Sequence, residues 1–209
     1  MSSPDMIAKS DAHALVLASG SEVRTRLLTS AGVPHIVDPS DVDEASVRDK
    51  MLVENATHVS IAEALAKLKA HRVSAKHEGC IVIGADQVLS CDGALFEKPA
   101  DLDGVRAHLK RLMGKEHTLH ASVCAVLDGD VIWHVNADAV LHMRELSDTF
   151  MDYYVETVGE AACQSVGAYL LEGLGIQLFS SIDDDFFTIL GLPMLPLLEF
   201  LRSNNVIER

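Results

Sequence analysis

The stretch Cys80-Ile81-Val82-Ile83-Gly84-Ala85-Asp86-Gln87-Val88-Leu89 is the most informative part of the chain for its fold. Its first four residues are all apolar, which is typical of a strand buried within a sheet. Val88 and Leu89 continue this strand to a turn at Asp92-Gly93. The carboxylate of Asp86 therefore follows a buried apolar run, which is where open α/β sheets place their ligands.

A second apolar run, residues 13–18, leads into Ser19-Gly20-Ser21 and then into a helical pattern that starts at Val23. The sequence predicts a strand, a small-residue turn and a helix, with the second serine as the helix N-cap. The free N–H groups and the dipole of a helix N-terminus favour an anion. Arg24 or Arg26 would add positive charge, although an ordinary capped helix with surface arginines explains the same pattern.

Periodicity and turn residues divide the rest of the chain into further strands and helices. They are a strand at 35–37, an acidic loop at 38–44, helices at 59–75 and 99–113, a hairpin of strands 117–127 and 131–142, a helix at 148–156, a strand at 176–182 and a final helix that follows Gly191-Leu192-Pro193.

This order of elements predicts an α/β fold with a mixed, elongated sheet flanked by helices. Strands and helices alternate at first, and a hairpin follows later. The chain has no internal repeat and no clear linker. We expect a disordered leader over residues 1–12 and one domain over residues 13–209, with two lobes around a cleft.

Composition excludes several functions. The 209 residues carry 31 acidic and 17 basic side chains, a formal charge of −14, which disfavours nucleic acid as a partner. The first eleven residues lack the apolar core of a signal peptide, and no run approaches the ~18–20 apolar residues of a membrane span. No cysteines form a C-x-x-C pair, so we expect reduced thiols and a cytoplasmic protein.

Three further segments carry charges that chemistry can use, and each has an ordinary alternative. Asp86 can ligate Mg²⁺ or act as a general base, or it can be a turn aspartate. Lys98, just before the helix-starting Pro99, can reach a phosphate or lie free on the surface, and the same holds for the lysines of helix 59–75. The acidic loop Asp41-Val42-Asp43-Glu44 can hold a hard cation or simply be solvated.

Taken in order, these segments resemble the Maf-like family of nucleotide pyrophosphatases, which implies a Maf/ITPase-like fold. The match runs from about residue 14 to residue 202, and its specificity lies in the ordered set. The matching segments are Ser19 to Leu28, Asp41 to Glu44, Lys67, Gly84 to Leu89, Glu97-Lys98-Pro99, Gly167 to Gly175 and Gly191-Leu192-Pro193.

The resemblance implies a hydrolase acting on acid anhydrides, which cleaves a nucleoside triphosphate into the monophosphate and pyrophosphate. It implies a house-cleaning role on modified nucleotides, a homodimer, and a divalent cation, Mg²⁺ in the first place and Mn²⁺ in the second. Asp86 would be catalytic and would share the metal with Glu44. The triphosphate would be held by Ser19, Ser21, Arg24, Lys67 and Lys98.

Three positions are tied to nucleobase preference in the family, and here they are Val23, Gln87 and Glu172. A glutamate only accepts hydrogen bonds, which suits the adjacent N–H donors of guanine. Gln87 with Glu172 resembles the subgroup that prefers 7-methyl-GTP, in which an aromatic residue stands where this chain has Val23. The chain also departs from the family pattern at Glu97, Ala66 and Thr188.

Two other functions fit the same residues. One is a catalytically weak nucleotide-binding protein linked to septum formation or cell division. The other is a plain α/β binding domain. Release of pyrophosphate from a triphosphate separates the enzyme from both.

Overall fold

The fold is taken from a computed structural model, which describes residues 13–208; the predicted leader, residues 1–12, lies outside the described residues. The strands are β1 (Leu15–Leu17), β2 (Ile36–Val37), β3 (Ile81–Cys91), β4 (Ala94–Phe96), β5 (Glu116–Leu127), β6 (Asp130–Met143) and β7 (Phe179–Ile182). The α-helices are α1 (Glu22–Ser30), α2 (Glu44–Val53), α3 (His58–Ser74), α4 (Leu102–Leu112), α5 (Asp148–Val158), α6 (Phe186–Ile189) and α7 (Met194–Ser203), and 3₁₀ turns span Gly159–Gln164 and Leu174–Leu178.

The strands form one seven-stranded mixed sheet, which confirms the predicted fold class. Its order is β2-β1-β3-β5-β6-β7, and β4 pairs with β3 outside this path. Strand β1 runs parallel to β2 and to β3, whereas the remaining pairs are antiparallel. Helical connections join the parallel strands, as parallel pairing requires.

The predicted hairpin is the long antiparallel pair β5–β6. Its two-residue loop is Asp128-Gly129, and both residues have positive φ, 50° and 90°. Such a loop matches the twist of the flanking strands, and Asp-Gly is a preferred pair for it. The turn chemistry of the sequence therefore sets this part of the sheet.

Of the four hydrophobic clusters among the described residues, the two largest lie towards opposite ends of β3, as expected for two lobes. One contains Ile83 of β3 together with Leu28 of α1 and Leu197 of α7. The other contains Leu89 of β3 and Tyr154 of α5, with much of α4 and the segment that follows α5. Strand β3 thus belongs to both lobes, and the middle of this strand lies between them.

Asp86 lies inside a continuous strand and not at its end. Strand β1 pairs with β3 only as far as Leu17, opposite Ile83, and the chain then leaves the sheet at Ala18. Beyond that point β3 runs on without β1 beside it. Asp86 therefore lies just past the end of β1, rather than at an end of β3.

Other predicted boundaries also need correction. The acidic loop ends at Asp43, whose side chain accepts a hydrogen bond from the Ser46 N–H and caps the unpredicted helix α2. The helix expected at 99–113 begins only at Leu102, because Asp101 is its N-cap. The strand expected at 176–182 is 3₁₀ turn as far as Leu178. Strand β4 was not predicted either. Among residues 13–208, no helix has the length and hydropathy that crossing a membrane requires.

Candidate active site

The turn after β1 forms the first part of the site. Ser21 caps α1 as predicted, because its hydroxyl accepts a hydrogen bond from the N–H of Arg24. The N–H of Ser21 in turn donates to the hydroxyl of Ser19. The two serines and the helix N-terminus therefore meet in one turn, which is the geometry that binds phosphate groups.

Arg24 crosses from α1 to two other segments and is only 8% exposed. Its Nε donates to the carbonyl of Gly191 at 2.9 Å, and its Nη1 donates to the Ala85 carbonyl at 2.8 Å and to the Ser19 hydroxyl at 3.1 Å. A Cβ at residue 191 would lie 3.0 Å from the Arg24 Nη2, so the glycine makes room for the guanidinium. Nη2 forms no hydrogen bond with a described residue and remains available to an anion.

Asp86 and Glu44 share one ammonium group. The Nζ of Lys69 lies 2.6 Å from Oδ1 of Asp86 and 2.7 Å from Oε1 of Glu44. Asp86 is 5% exposed and Lys69 is 7% exposed, so the pair lies largely out of water. The three side chains come from β3, α3 and the first turn of α2.

Burial governs the electrostatics of this cluster. Desolvation raises the pKa of Asp86, and the positive charges of Lys69 and Arg24 oppose that rise. Desolvation likewise lowers the pKa of Arg24, against the carboxylates of Asp86 and Glu44. Each buried charge thus depends on its neighbours, and a carboxylate with a raised pKa is a better proton acceptor at neutral pH.

Lys67, the lysine chosen from the sequence, does not reach this cluster. Its Nζ pairs with Glu63 one turn earlier on α3, and Glu63 accepts a hydrogen bond from Asn136 of β6. Residues two apart on a helix point in very different directions, so α3 can present only one of the two lysines to Asp86. The structure presents Lys69.

A sequence signal for Lys69 exists. It lies midway between Leu65 and Val73, in a buried series with Ile61 that repeats every four residues, so it is a charge within the apolar face of α3. Long charged side chains are rarely buried without a partner. A lysine at such a position indicates a buried carboxylate nearby, and that carboxylate is Asp86.

The third basic side chain among the predicted phosphate ligands, Lys98, is exposed and forms no hydrogen bond or ion pair with a described residue. Its neighbour Glu97, which departs from the family glycine, pairs with Arg48 of α2. This pairing neutralises the negative charge beside Lys98. The structure leaves Lys98 free to move towards a ligand but does not place it in contact with the other site residues.

Gln87 points away from Asp86, because neighbouring residues of a strand face opposite sides of the sheet. Its Nε2 donates to the carbonyls of Thr188 at 2.9 Å and Ile189 at 3.2 Å, so its Oε1 is left as the free acceptor. Thr188, another departure from the family pattern, donates its hydroxyl to the Asp185 carboxylate that caps α6. Its role here is to hold the short helix against which Gln87 is fixed.

Val23 is half-buried on α1, and Glu172 forms an ion pair with Arg26 of the same helix. Two predicted base-contacting residues thus lie on or against α1, within one turn of Arg24. Ala66, by contrast, is buried on α3, and its carbonyl lies where a Cβ of Gly84 would be.

Two carboxylates are available to a divalent cation. Asp41 pairs with Arg72 and Asp43 caps α2, so the acidic segment brings only Glu44 to Asp86. Residues 13–208 contain no group of three or more His, Cys, Asp or Glu side chains arranged around a metal. Mg²⁺ in phosphate-handling sites often takes one or two carboxylates and completes its shell with substrate oxygens and water. The donor set therefore fits a cation that arrives with a phosphorylated substrate.

A capped strand–turn–helix, a buried arginine and a lysine-bound carboxylate lie together in this α/β protein. Comparison of its sequence with known families identifies the family to which it belongs. The model of the family described as Maf-like protein matches residues 14–204, and the chain belongs to this family.

Named relatives resemble the chain over nearly its whole length. It is 53% identical over 189 residues to the nucleoside triphosphate pyrophosphatase of Paramagnetospirillum magneticum, covering 90% of this chain and 97% of that protein. It is 48% identical over 189 residues to the protein of the same name from Nitrobacter winogradskyi, covering 90% and 93%. It is 43% identical over 194 residues to the 7-methyl-GTP pyrophosphatase of Brucella abortus biovar 1, covering 93% and 98%.

Proposed function

We propose that the protein is a nucleoside triphosphate pyrophosphatase, which hydrolyses a triphosphate between its α and β phosphates. The observation that carries the proposal is the cluster of Asp86, Lys69 and Glu44, with the guanidinium of Arg24 beside it. Anhydride hydrolysis of this kind needs positioning and charge neutralisation more than covalent catalysis. The names of the most similar relatives agree with this chemistry.

The triphosphate would lie along the turn after β1 and across to α3. Ser19, Ser21 and the N-terminus of α1 offer hydrogen-bond donors, and Nη2 of Arg24 is free to donate as well. We assign to Lys69 the phosphate-binding role that the family resemblance implies for Lys67, because Lys69 is the lysine beside Asp86. Lys98 would bind only if it moves in from solvent.

Asp86 and Glu44 would hold Mg²⁺, or Mn²⁺ in its place. Such a cation, when bound, neutralises phosphate charge and polarises the phosphorus–oxygen bonds. In the structure Lys69 lies between these two carboxylates, so the ammonium would turn towards the phosphates. Oδ1 of Asp86 holds Lys69, and Oδ2 accepts no hydrogen bond from a described residue. This second oxygen is available to the cation or to the attacking water.

A guanine-type base, unmodified or methylated, suits the remaining groups. Glu172 can only accept hydrogen bonds, and Gln87 is held with its acceptor oxygen free. Two acceptors match adjacent N–H donors, which guanine presents along one edge. Val23 would contact the base through apolar surface only.

The protein's assembly and compartment are also proposals. The family resemblance supports a homodimer, which light scattering would test. Free thiols at Cys80, Cys91, Cys124 and Cys163 support a reducing compartment such as the cytoplasm.

The test is a product assay on a panel of canonical and methylated nucleoside triphosphates with Mg²⁺. We expect equal amounts of monophosphate and pyrophosphate, no orthophosphate, and loss of the reaction when the metal is chelated. Release of orthophosphate would mean that the enzyme cleaves a bond other than the one between the α and β phosphates. If no triphosphate in the panel is cleaved, the proposed function is wrong and a binding protein remains.

A further inference from the structure

The ion pair between Arg26 and Glu172 has no part in the phosphate chemistry, yet it joins α1 to the segment after Tyr169. The partners are 146 residues apart in sequence. The side chain of Glu172 is 27% exposed and that of Arg26 is 58% exposed, so the carboxylate is the more enclosed partner. Arg26 lies half a turn of α1 beyond Arg24, which the phosphate site uses.

We propose that Arg26 sets nucleobase specificity by neutralising Glu172, so that the enzyme favours a neutral base over a cationic one such as 7-methylguanine. This inference rests on the proposed function. Arg26 is a positioning residue here, because it acts through Glu172 and not on the reacting phosphate.

Electrostatics gives the reason. A carboxylate alone attracts a cationic base and accepts its N–H donors, so both effects favour methylation. With the guanidinium of Arg26 on one oxygen of Glu172, the pair carries no net charge, and a second cation must approach an existing one. The other oxygen still accepts a hydrogen bond, so a neutral base keeps its contact.

The other two base positions, Val23 and Gln87, do not restore the attraction for a cationic base that Glu172 loses by pairing with Arg26. Val23 has no aromatic ring over which a cation could sit, so cation–π attraction is absent there. Gln87 is uncharged, and its amide is fixed by the carbonyls of Thr188 and Ile189. Of the three positions, only Glu172 carries a charge, and Arg26 pairs with it. These two side chains therefore decide the charge that a methylated base meets.

The experiment compares wild type with Arg26→Ala and Arg26→Lys, using GTP and 7-methyl-GTP as paired substrates. Arg26→Ala should raise the ratio of kcat/KM for 7-methyl-GTP over GTP by about threefold to tenfold, since partly exposed ion pairs have modest strength. The change should lie in KM, with kcat little altered. Arg26→Lys keeps the charge and should keep the wild-type ratio. Arg202→Ala, which removes an exposed ion pair on α7, is the matched control.

Calorimetry of GMP and 7-methyl-GMP binding to the same variants gives the ratio of the two affinities without turnover. An unchanged ratio in Arg26→Ala, or an equal loss for both ligands, would overturn the inference while leaving the pyrophosphatase activity established. Absence of pyrophosphate from every triphosphate would instead refute the proposed function. In that case a shifted binding ratio would still support the role of Arg26, and an unshifted one would refute it.

Discussion

At the scale of single residues, Lys69 is the least expected member of the site. It lies within the apolar face of α3, and burying an ammonium there is tolerable only because Asp86 and Glu44 are both in contact with it. The same contact leaves Asp86 ionisable in a place where burial favours its neutral form. One lysine thus stabilises the carboxylate to which we assign catalysis, and the same lysine is the one that we propose binds the substrate.

The two lysines of α3 allow a matched test of this assignment. We expect Lys69→Ala to lower kcat/KM by about 10²–10³-fold, the usual loss for one charge-stabilising donor. Lys67→Ala should change it by less than about threefold, because Lys67 pairs with Glu63 outside the site. Urea unfolding of both variants separates loss of function from loss of fold. Equal effects of the two substitutions would contradict the assignment.

His117 gives a prediction about stability. Its ring is buried against Tyr169, and burial lowers its pKa to about 4. The folded state therefore holds the neutral imidazole, whereas the unfolded chain takes up a proton below about pH 6.5. Stability from this group is complete above pH 6.5 and falls as the pH drops towards 4.

The measurement is the free energy of unfolding of wild type and His117→Gln at pH 7 and at pH 4. Wild type should lose about 3 kcal/mol more than the variant over this range. His134→Gln, at an exposed position of β6, should follow wild type. An identical pH dependence in wild type and His117→Gln would show that the ring is not held neutral.

At the scale of elements, the contact of α3 with β3 places the site. A Cβ at Gly84 would lie 2.1 Å from the Ala66 carbonyl oxygen and 2.8 Å from the Ala70 Cβ. Glycine therefore lets the helix backbone rest on the strand two residues before Asp86. This close approach brings Lys69 within hydrogen-bond distance of the carboxylate.

Substitution of this glycine should disturb both fold and activity. We expect Gly84→Ala to lower the free energy of unfolding by about 1–3 kcal/mol, because the helix must move away from the strand. Gly20→Ala is the control for stability, since its new Cβ would meet only Pro39 at 3.7 Å. Urea denaturation measures the free energy of unfolding of both variants. A Gly84→Ala protein as stable as wild type would mean that the helix adjusts without cost.

Elements with strong periodicity or turn chemistry could be predicted from the sequence, and elements without them could not. The apolar run of β3 and the Asp-Gly turn of the hairpin are local patterns, and each could be predicted from a few neighbouring residues. Helix α2 could not be predicted in this way, because none of its residues is fully buried and only Val47 and Met51 pack, partly buried, against a core cluster. The choice between Lys67 and Lys69 depends on which face of α3 packs on the sheet; the spacing of Ile61, Leu65 and Val73 marks that face, but the carboxylate that Lys69 meets there is set by tertiary packing. The Arg26–Glu172 pair joins distant segments and was equally inaccessible to sequence patterns.

At the scale of the whole molecule, charge opposes the approach of the substrate. The chain carries a formal charge of −14, while the site collects two buried cations, Arg24 and Lys69. Long-range repulsion of a triphosphate is screened by salt, whereas buried contacts are screened much less. Repulsion by the acidic surface and contacts with the two buried cations therefore respond differently to ionic strength.

We expect kcat/KM to stay constant or to rise up to about twofold when monovalent salt increases from about 0.02 M to about 0.2 M. Steady-state kinetics at fixed free Mg²⁺ measures this. A steep fall with salt would mean that exposed cations dominate capture of the substrate, and Lys98 would be the first to examine.

The most direct test of the role proposed for Asp86 is the rate of pyrophosphate release by Asp86→Asn. The substitution is nearly isosteric but removes the charge that holds Lys69 and the oxygen offered to metal or water. Asp41→Asn is the control, because Asp41 pairs with Arg72 and not with Lys69. We expect a loss of about 10²–10⁴-fold in kcat for Asp86→Asn, with the fold retained, and wild-type activity for Asp41→Asn. Full activity in a folded Asp86→Asn protein would contradict that role.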